Sequence, residues 1–232
     1  AYPQYITFFK ACKTISSILP NTKTWLTGIT PLDLPHLSRF IPTVVTFHSD
    51  LTDVVGLRDA DVDHMLDQVH NYNSFKDDDE KARVRAAIKE HYKGLKFLYG
   101  DGLYHTRLVN SVMNNLLSDR ERQQWLQDLT KPMASVRVEK CPSSVFNVVA
   151  TAPNLRPVVN ALLTTDEVSG YSLNRDFSLS DLLNTNIAVD DYLTLLVHLG
   201  ILSVSWSQSG ADDIFKITNG AYRKQYLNAL LD

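Results

Sequence analysis

Between Ile88 and Leu117 the sequence reads IKEHYKGLKFLYGDGLYHTRLVNSVMNNLL, and its middle cannot continue as a helix. Gly94, Gly100 and Gly102 open backbone angles denied to residues with a Cβ, and each would weaken a helix interior. Tyr92, Phe97, Tyr99 and Tyr104 set large rings at short intervals around them. The stretch therefore predicts two helices joined by a shaped, aromatic, glycine-broken turn that packs onto a helical core. His105 closes the turn, and its expected role is a hydrogen bond that holds the loop.

The chain around this stretch is built for a core. With 232 residues, 44% of them hydrophobic, it can form one large domain or two small ones. A net charge of -3 gives no general attraction to nucleic acid or to an anionic membrane. No apolar run approaches the roughly 18 residues of a membrane span. Cys12 and Cys141 are the two cysteines, and their separation makes neither a zinc spacing nor a disulfide framework.

Along the chain, Phe8, Phe9, Cys12, Ile15 and Leu19 recur at helical spacing and predict a buried helix ending at Pro20. Lys23 to Thr27 reads as one strand ending at Gly28. Such a strand must pair with a later segment or with segments beyond this chain, and the start at Ala1 adds to the expectation of a processed product or an excised piece. Asp59 stands where a helix cap belongs, followed by Val62, Met65, Leu66 and Val69 on one face. The acids Asp77 to Glu80 are placed to meet the positive end of a helix over Ala82 to Tyr92. Val109, Val112, Met113 and Leu116 mark another helix, and Ser118 to Glu121 forms a capping box for one carrying Trp125.

Prolines at 132, 142, 153 and 157 place a soft boundary near residue 150. Beyond it come a helix over Asn154 to Leu163, a strand over Gly170 to Phe177, helices starting at Ser178 and Asp190, a hairpin of Ile201 to Trp206 with Ile214 to Thr218, and a last helix over Tyr222 to Leu231. The order is winged-helix-like. From Tyr171 to Asp232, however, four basic residues face seven aspartates, a local charge of -3. Phosphate contacts need cations, so the wing is expected to pack on protein and not on DNA. The fold class expected is mainly α with minor β: a helical bundle over 1–150, then a winged-helix-like part over 151–232.

Enzymatic signatures are missing. None of the nine glycines precedes a lysine, so no GxxxxGK[ST] loop exists, and no apolar run ends in paired acids. The one (D/E)xK, Asp79-Glu80-Lys81, sits in an exposed acidic run with no strand pattern. No HExxH or GxSxG is present, and the chain alone reads as non-catalytic, with no metal site and no cofactor of its own.

Several segments carry a family likeness. Tyr92, Gly94 and Phe97, followed by Leu103-Tyr104-His105-Thr106, look like a WYxGYxF signature and its sequel. Leu26 to Leu32 looks like a TGVSP strand end, Leu57 to Val62 like a helix start, and Gly200-Ile201-Leu202 and Ile217 to Arg223 like two later motifs. Together they resemble the fungal branch of the AAA-ATPase-like proteins, in which a P-loop module is often joined to a PD-(D/E)XK nuclease and which includes Crinkler-type effectors. The resemblance covers the part after the Walker-B strand and the lid. It implies that the N-terminal helix and strand are a remnant of a P-loop core, and that ATP and magnesium matter only if the missing core is present. It also implies that Thr27, Gly28 and Thr30 lie at a nucleotide-sensing edge; by the local reading, the two hydroxyls cap the turn. The implied work is regulatory: a lid-like module coupling nucleotide state or partner binding to a neighbouring domain. Tyr92, Gly94, Phe97, Tyr99, Tyr104 and His105 are then the candidate interface. The alternatives are the C-terminal part of an active NTPase or nuclease, and a host-directed effector that binds protein or DNA; the compartment is intracellular in the first readings and secreted in the last.

Overall fold

The computed structural model describes residues 47–51, 56–72, 75–136, 153–177, 187–206 and 212–223, with Thr7, Lys10, Ala11, Thr14, Ile15, Ile18 and Leu19 before them. The protein is mainly helical with a small sheet. Helix α1 (Asp59–Asn71) buries Val62, Leu66 and Val69, the stripe its spacing predicts. Its cap differs from expectation. Arg58 is the capping residue, and its N–H donates to Asp61 Oδ2 at 2.8 Å, which leaves the Asp59 carboxylate for other partners. In α2 (Asp78–Tyr92) the acids belong to the helix itself: Asp77 caps it by accepting the Glu80 N–H at 2.8 Å.

The aromatic stretch is a strand and not a loop. β1 (Lys93–Tyr104) follows α2 without a break. A Cβ placed on Gly102 would lie 3.3 Å from Gly94 Cα, although eight residues of straight strand would span about 26 Å. The segment thus doubles back on itself, with Gly100 at φ +75 between the two glycines. The turn that the glycines predict is present, but inside extended, paired backbone. α3 (Thr106–Leu116) leaves β1 at His105, and α4 (Asp119–Leu126) follows after Ser118, whose side chain makes no capping bond.

After a short 3-10 turn, α5 (Arg156–Thr165) ends at Asp166 in the left-handed conformation, φ 64. Next come β2 (Glu167–Tyr171), earlier than the alternation suggested, then α6 (Val189–His198), β3 (Leu202–Trp206) and β4 (Asp213–Ile217). β3 and β4 form the expected antiparallel hairpin, with Val204 opposite Phe215, and β2 lies antiparallel on the far side of β4. β1 completes the sheet in the order β1-β3-β4-β2, running parallel to β3 with Phe97 opposite Val204 and Leu98 opposite Ser205. One apolar cluster joins the helices on both sides of residue 150: Val62, Ile88, Val112, Leu162, Leu196 and Phe215 all belong to it. The boundary itself lies outside the described residues.

One helix departs from expectation. Thr7, Lys10, Ala11, Thr14, Ile15 and Ile18 are helical, but Ile15, Ile18 and Leu19 are 48%, 68% and 53% exposed, because no described residue covers that face. Phe8, Phe9, both cysteines, the Lys23 to Thr27 strand and the helix expected from Ser178 lie outside the described residues.

Candidate functional site

β1 is where separate parts of the chain meet, and the chemistry of that meeting begins with missing side chains. At Gly94 (φ +135) a Cβ would fall 1.8 Å from the Thr218 carbonyl oxygen, so two backbones touch where only hydrogen fits. Thr218 is fixed in turn: its hydroxyl donates to the carbonyls of Gly200 and Ile201 at 2.8 and 2.9 Å, and its N–H bonds Ile201. Gly200 sits over Leu95, 3.6 Å from the position of an added Cβ, and Gly220 faces the His91 ring. His91 is buried and its Nε2 hydrogen-bonds the Leu129 carbonyl at 2.9 Å.

Two tyrosines hold the helical side. Tyr92 is fully buried, and its hydroxyl oxygen accepts the Met133 N–H at 2.8 Å; burial pushes its ionisation up to about 12. Tyr104, also buried, donates its hydroxyl to Asp59 Oδ1 at 2.7 Å, and its backbone pairs with Leu57. Burial first, then the Asp59 contact, raises its ionisation as well. Asp59 also takes Lys93 Nζ at 2.6 Å, and the hydrogen bond from Lys93, ahead of that from Tyr104, holds its carboxyl below the usual range. Lys93 lies 5.6 Å above the Tyr104 ring, a cation-π distance.

Asp59 is also the first rung of a ladder that sequence reading missed. Asp63 pairs with Arg85 through both oxygens, and Asp67 pairs with Lys81, so acids four apart on α1 meet Lys93 at the start of β1 and Arg85 and Lys81 on the antiparallel α2. The spacing of 59, 63 and 67 against 81, 85 and 93 was the available signal, but it becomes legible once the two helices are known to be antiparallel neighbours.

Of the residues singled out from sequence, the structure gathers Tyr92, Gly94, Tyr104 and His105 with the segments at Leu57, Gly200 and Thr218. Tyr92 and Tyr104 are spent inside the chain, so they cannot be contacted from outside it. Phe97 contributes backbone pairing to β3, Tyr99 lies in the same strand, and His105 stands at the start of α3 with its ring 6.0 Å from that of Tyr222. Thr27, Gly28 and Thr30 lie outside the described residues. Beside the joint opens a cleft of about 690 Å³, walled by Gly56, Leu95 and His105 on one side and by the polar face of α3 from Thr106 to Asn115 on the other.

Protein-family models, curated proteins and solved structures give no match to this chain. Among the described residues, no group of three or more His, Cys, Asp or Glu side chains is placed to hold a metal ion, and no helix is long and apolar enough to cross a membrane.

Proposed function

We propose that the chain is a non-catalytic regulatory or interaction module that couples its helical layer to a winged-helix-like C-terminal part through β1, and passes the state of one to a partner protein or a neighbouring domain. One observation carries this reading: β1 is joined to α1 by the hydrogen bond of Tyr104 to Asp59 and to the hairpin by the pairing of Phe97 and Leu98 with Val204 and Ser205, with Gly94 packed against Thr218 just after β4. A displacement of α1 against α2 then pulls, through Asp59, on the strand that closes the hairpin edge. The likeness to the lid of AAA-ATPase-like proteins is consistent with such work.

The nucleic-acid alternative is disfavoured by α6. In a winged helix the helix before the hairpin would enter a groove. Here Tyr192 through Val197 are all buried, and Asp190 and Asp191 occupy the first turn, the end that would approach the bases.

Hydrogen exchange tests the coupling. Tyr104→Phe removes a contact on the α1 side alone, and the expected result is faster exchange in α1 and also in β3, Leu202 to Trp206. Changes confined to α1 and α2 would refute it. A parallel assay with ATP and magnesium is expected to give no phosphate release; turnover lost in Thr27→Ala and Thr30→Ala would replace this reading with that of an NTPase part.

A further inference from the structure

His198 closes α6, and its surroundings make no use of what distinguishes a histidine. Its ring lies between two phenyl rings, with centroids 5.2 Å from Phe47 and 5.7 Å from Phe177, the latter stacked at 25°. Among the described residues no hydrogen bond and no ion pair joins it. His91, by contrast, spends its Nε2 on the Leu129 carbonyl. An apolar side chain of similar size would fill the slot of His198 as well, so packing alone does not call for an imidazole there. What the imidazole adds is a proton site that can change state near neutral pH.

The two phenyl rings come from separate places. Phe47 precedes a 3-10 turn (Ser49–Leu51) that packs on β1, and Phe177 follows β2 and is buried. His198 thus pins two segments to the end of α6. A proton on its ring would set a cation among carbons. A phenyl face and a helix C-terminus both favour a cation, but the loss of water outweighs them: burial pulls the His198 pKa from 6.5 down to about 4. No charge nearby offsets that. On the 3-10 turn His48 and Asp50 lie 3.9 Å from each other and are exposed, as are Arg175 and Asp176 before Phe177. On α6, Asp190 and Asp191 stand at the opposite end, holding the Ser172 N–H and the Asn174 amide. β3 and the turn Pro153–Leu155, both packed on α6, carry no titratable group.

We propose that His198 is an acid-operated latch: neutral, it holds Phe47 and Phe177 against the end of α6; protonated, it releases both and loosens the 3-10 turn from β1. The sign follows from a base whose folded value is lowered. Its contribution is whole above pH 6.5 and is lost as pH falls toward about 4. The latch goes beyond the coupling reading and does not rest on it, since it is read at His198 and the two segments it holds.

The test is amide hydrogen exchange of the full chain at about pH 7 and about pH 5, corrected for the intrinsic rate. It is read at Leu51 and Phe177, whose N–H groups bond the carbonyls of His48 and Asn174. Protection at both is expected to fall about tenfold or more in acid, while the amides of β3 keep theirs. His198→Phe keeps a ring in the slot and has no proton to take, so both amides are expected to be equally protected at the two pH values. An NMR titration of the wild-type His198 ring needs no variant, and a midpoint well below 6.5 is expected. Four results would overturn the proposal: a ring that titrates at its ordinary value, protection that does not change with pH, an acid loss that His198→Phe retains, or an equal loss throughout β3, which is general acid unfolding.

Discussion

The ladder between α1 and α2 and the joint around β1 share the Asp59–Lys93 pair, yet they are built on opposite principles. The ladder uses long charged side chains at the surface: Asp63 and Arg85 are 41% and 39% exposed, and Asp67 is 56% exposed. The joint uses glycine and buried tyrosine, with backbone against backbone at Gly94 and the Tyr92 hydroxyl on the buried Met133 N–H. Exposed pairs gain little over their hydrated state and pay entropy to hold still, so a ladder sets helix register more than stability. A close-packed joint has no slack, since its atoms have nowhere to relax. The two regions therefore predict different responses to substitution, alkali and salt.

The largest effect belongs to Gly94→Ala. The new methyl would overlap the Thr218 carbonyl at 1.8 Å, and the φ of +135 is unfavourable for alanine even in free space. A loss of about 3 kcal/mol or more is expected in urea unfolding. Gly170→Ala separates the two causes: its φ is +86 but nothing lies within 4 Å of the added carbon, so backbone strain alone should cost about 1–2 kcal/mol. Equal losses at the two sites would mean that the Thr218 contact gives way freely.

The second effect is alkaline. A tyrosine whose folded pKa is raised above its unfolded value near 10 adds stability that is whole below pH 10 and lost as pH rises toward the folded value, about 12 for Tyr92. Tyr104 is shifted in the same direction. The joint should thus weaken by about 1.4 kcal/mol per pH unit for each tyrosine above pH 10. Tyr92→Phe should make that slope shallower. At neutral pH it should cost about 1–3 kcal/mol, because the buried Met133 N–H loses its acceptor. Identical alkaline slopes in wild type and variant would remove Tyr92 from the joint.

Sequence was informative where a pattern is local. The stripes of α1 and α3, the hairpin of β3 and β4, and the stop at Gly200 (φ +71) all follow from spacing and turn chemistry within a few residues. In the stretch from Lys93 to Tyr104 the glycines make the turn legible, but not the strand around it, because nothing local shows that Phe97 meets Val204, more than a hundred residues away. The same holds for Asp59, whose position suits a cap but whose carboxylate is claimed by Tyr104 and Lys93. Ile15 and Leu19 have helical spacing, but periodicity cannot say whether another element will cover the face it defines. The cleft is legible in part: Asn110, Ser111 and Asn114 share a face by spacing alone, but its other wall, Leu95 and Gly56, comes from the fold.

The smallest effect should come from the ladder, and it grades along its length. Asp63→Asn should cost less than about 1 kcal/mol and the more exposed Asp67→Asn less still, and about 1 M salt should erase both differences from wild type, since the Debye length is then near 3 Å. Asp59→Asn should cost more, because it also receives the buried Tyr104 hydroxyl, and salt should not restore it. Acid gives an independent check. Hydrogen bonds from Lys93 and Lys81 hold Asp59 and Asp67 below the usual carboxyl range, so their contribution is present above the unfolded value near 3.9 and fades as pH falls below it. The deficit of Gly94→Ala should not move with salt in any of these conditions. A salt-sensitive deficit there, or a loss above about 2 kcal/mol at Asp63, would show that charge and close packing are not divided between the two regions as the geometry indicates.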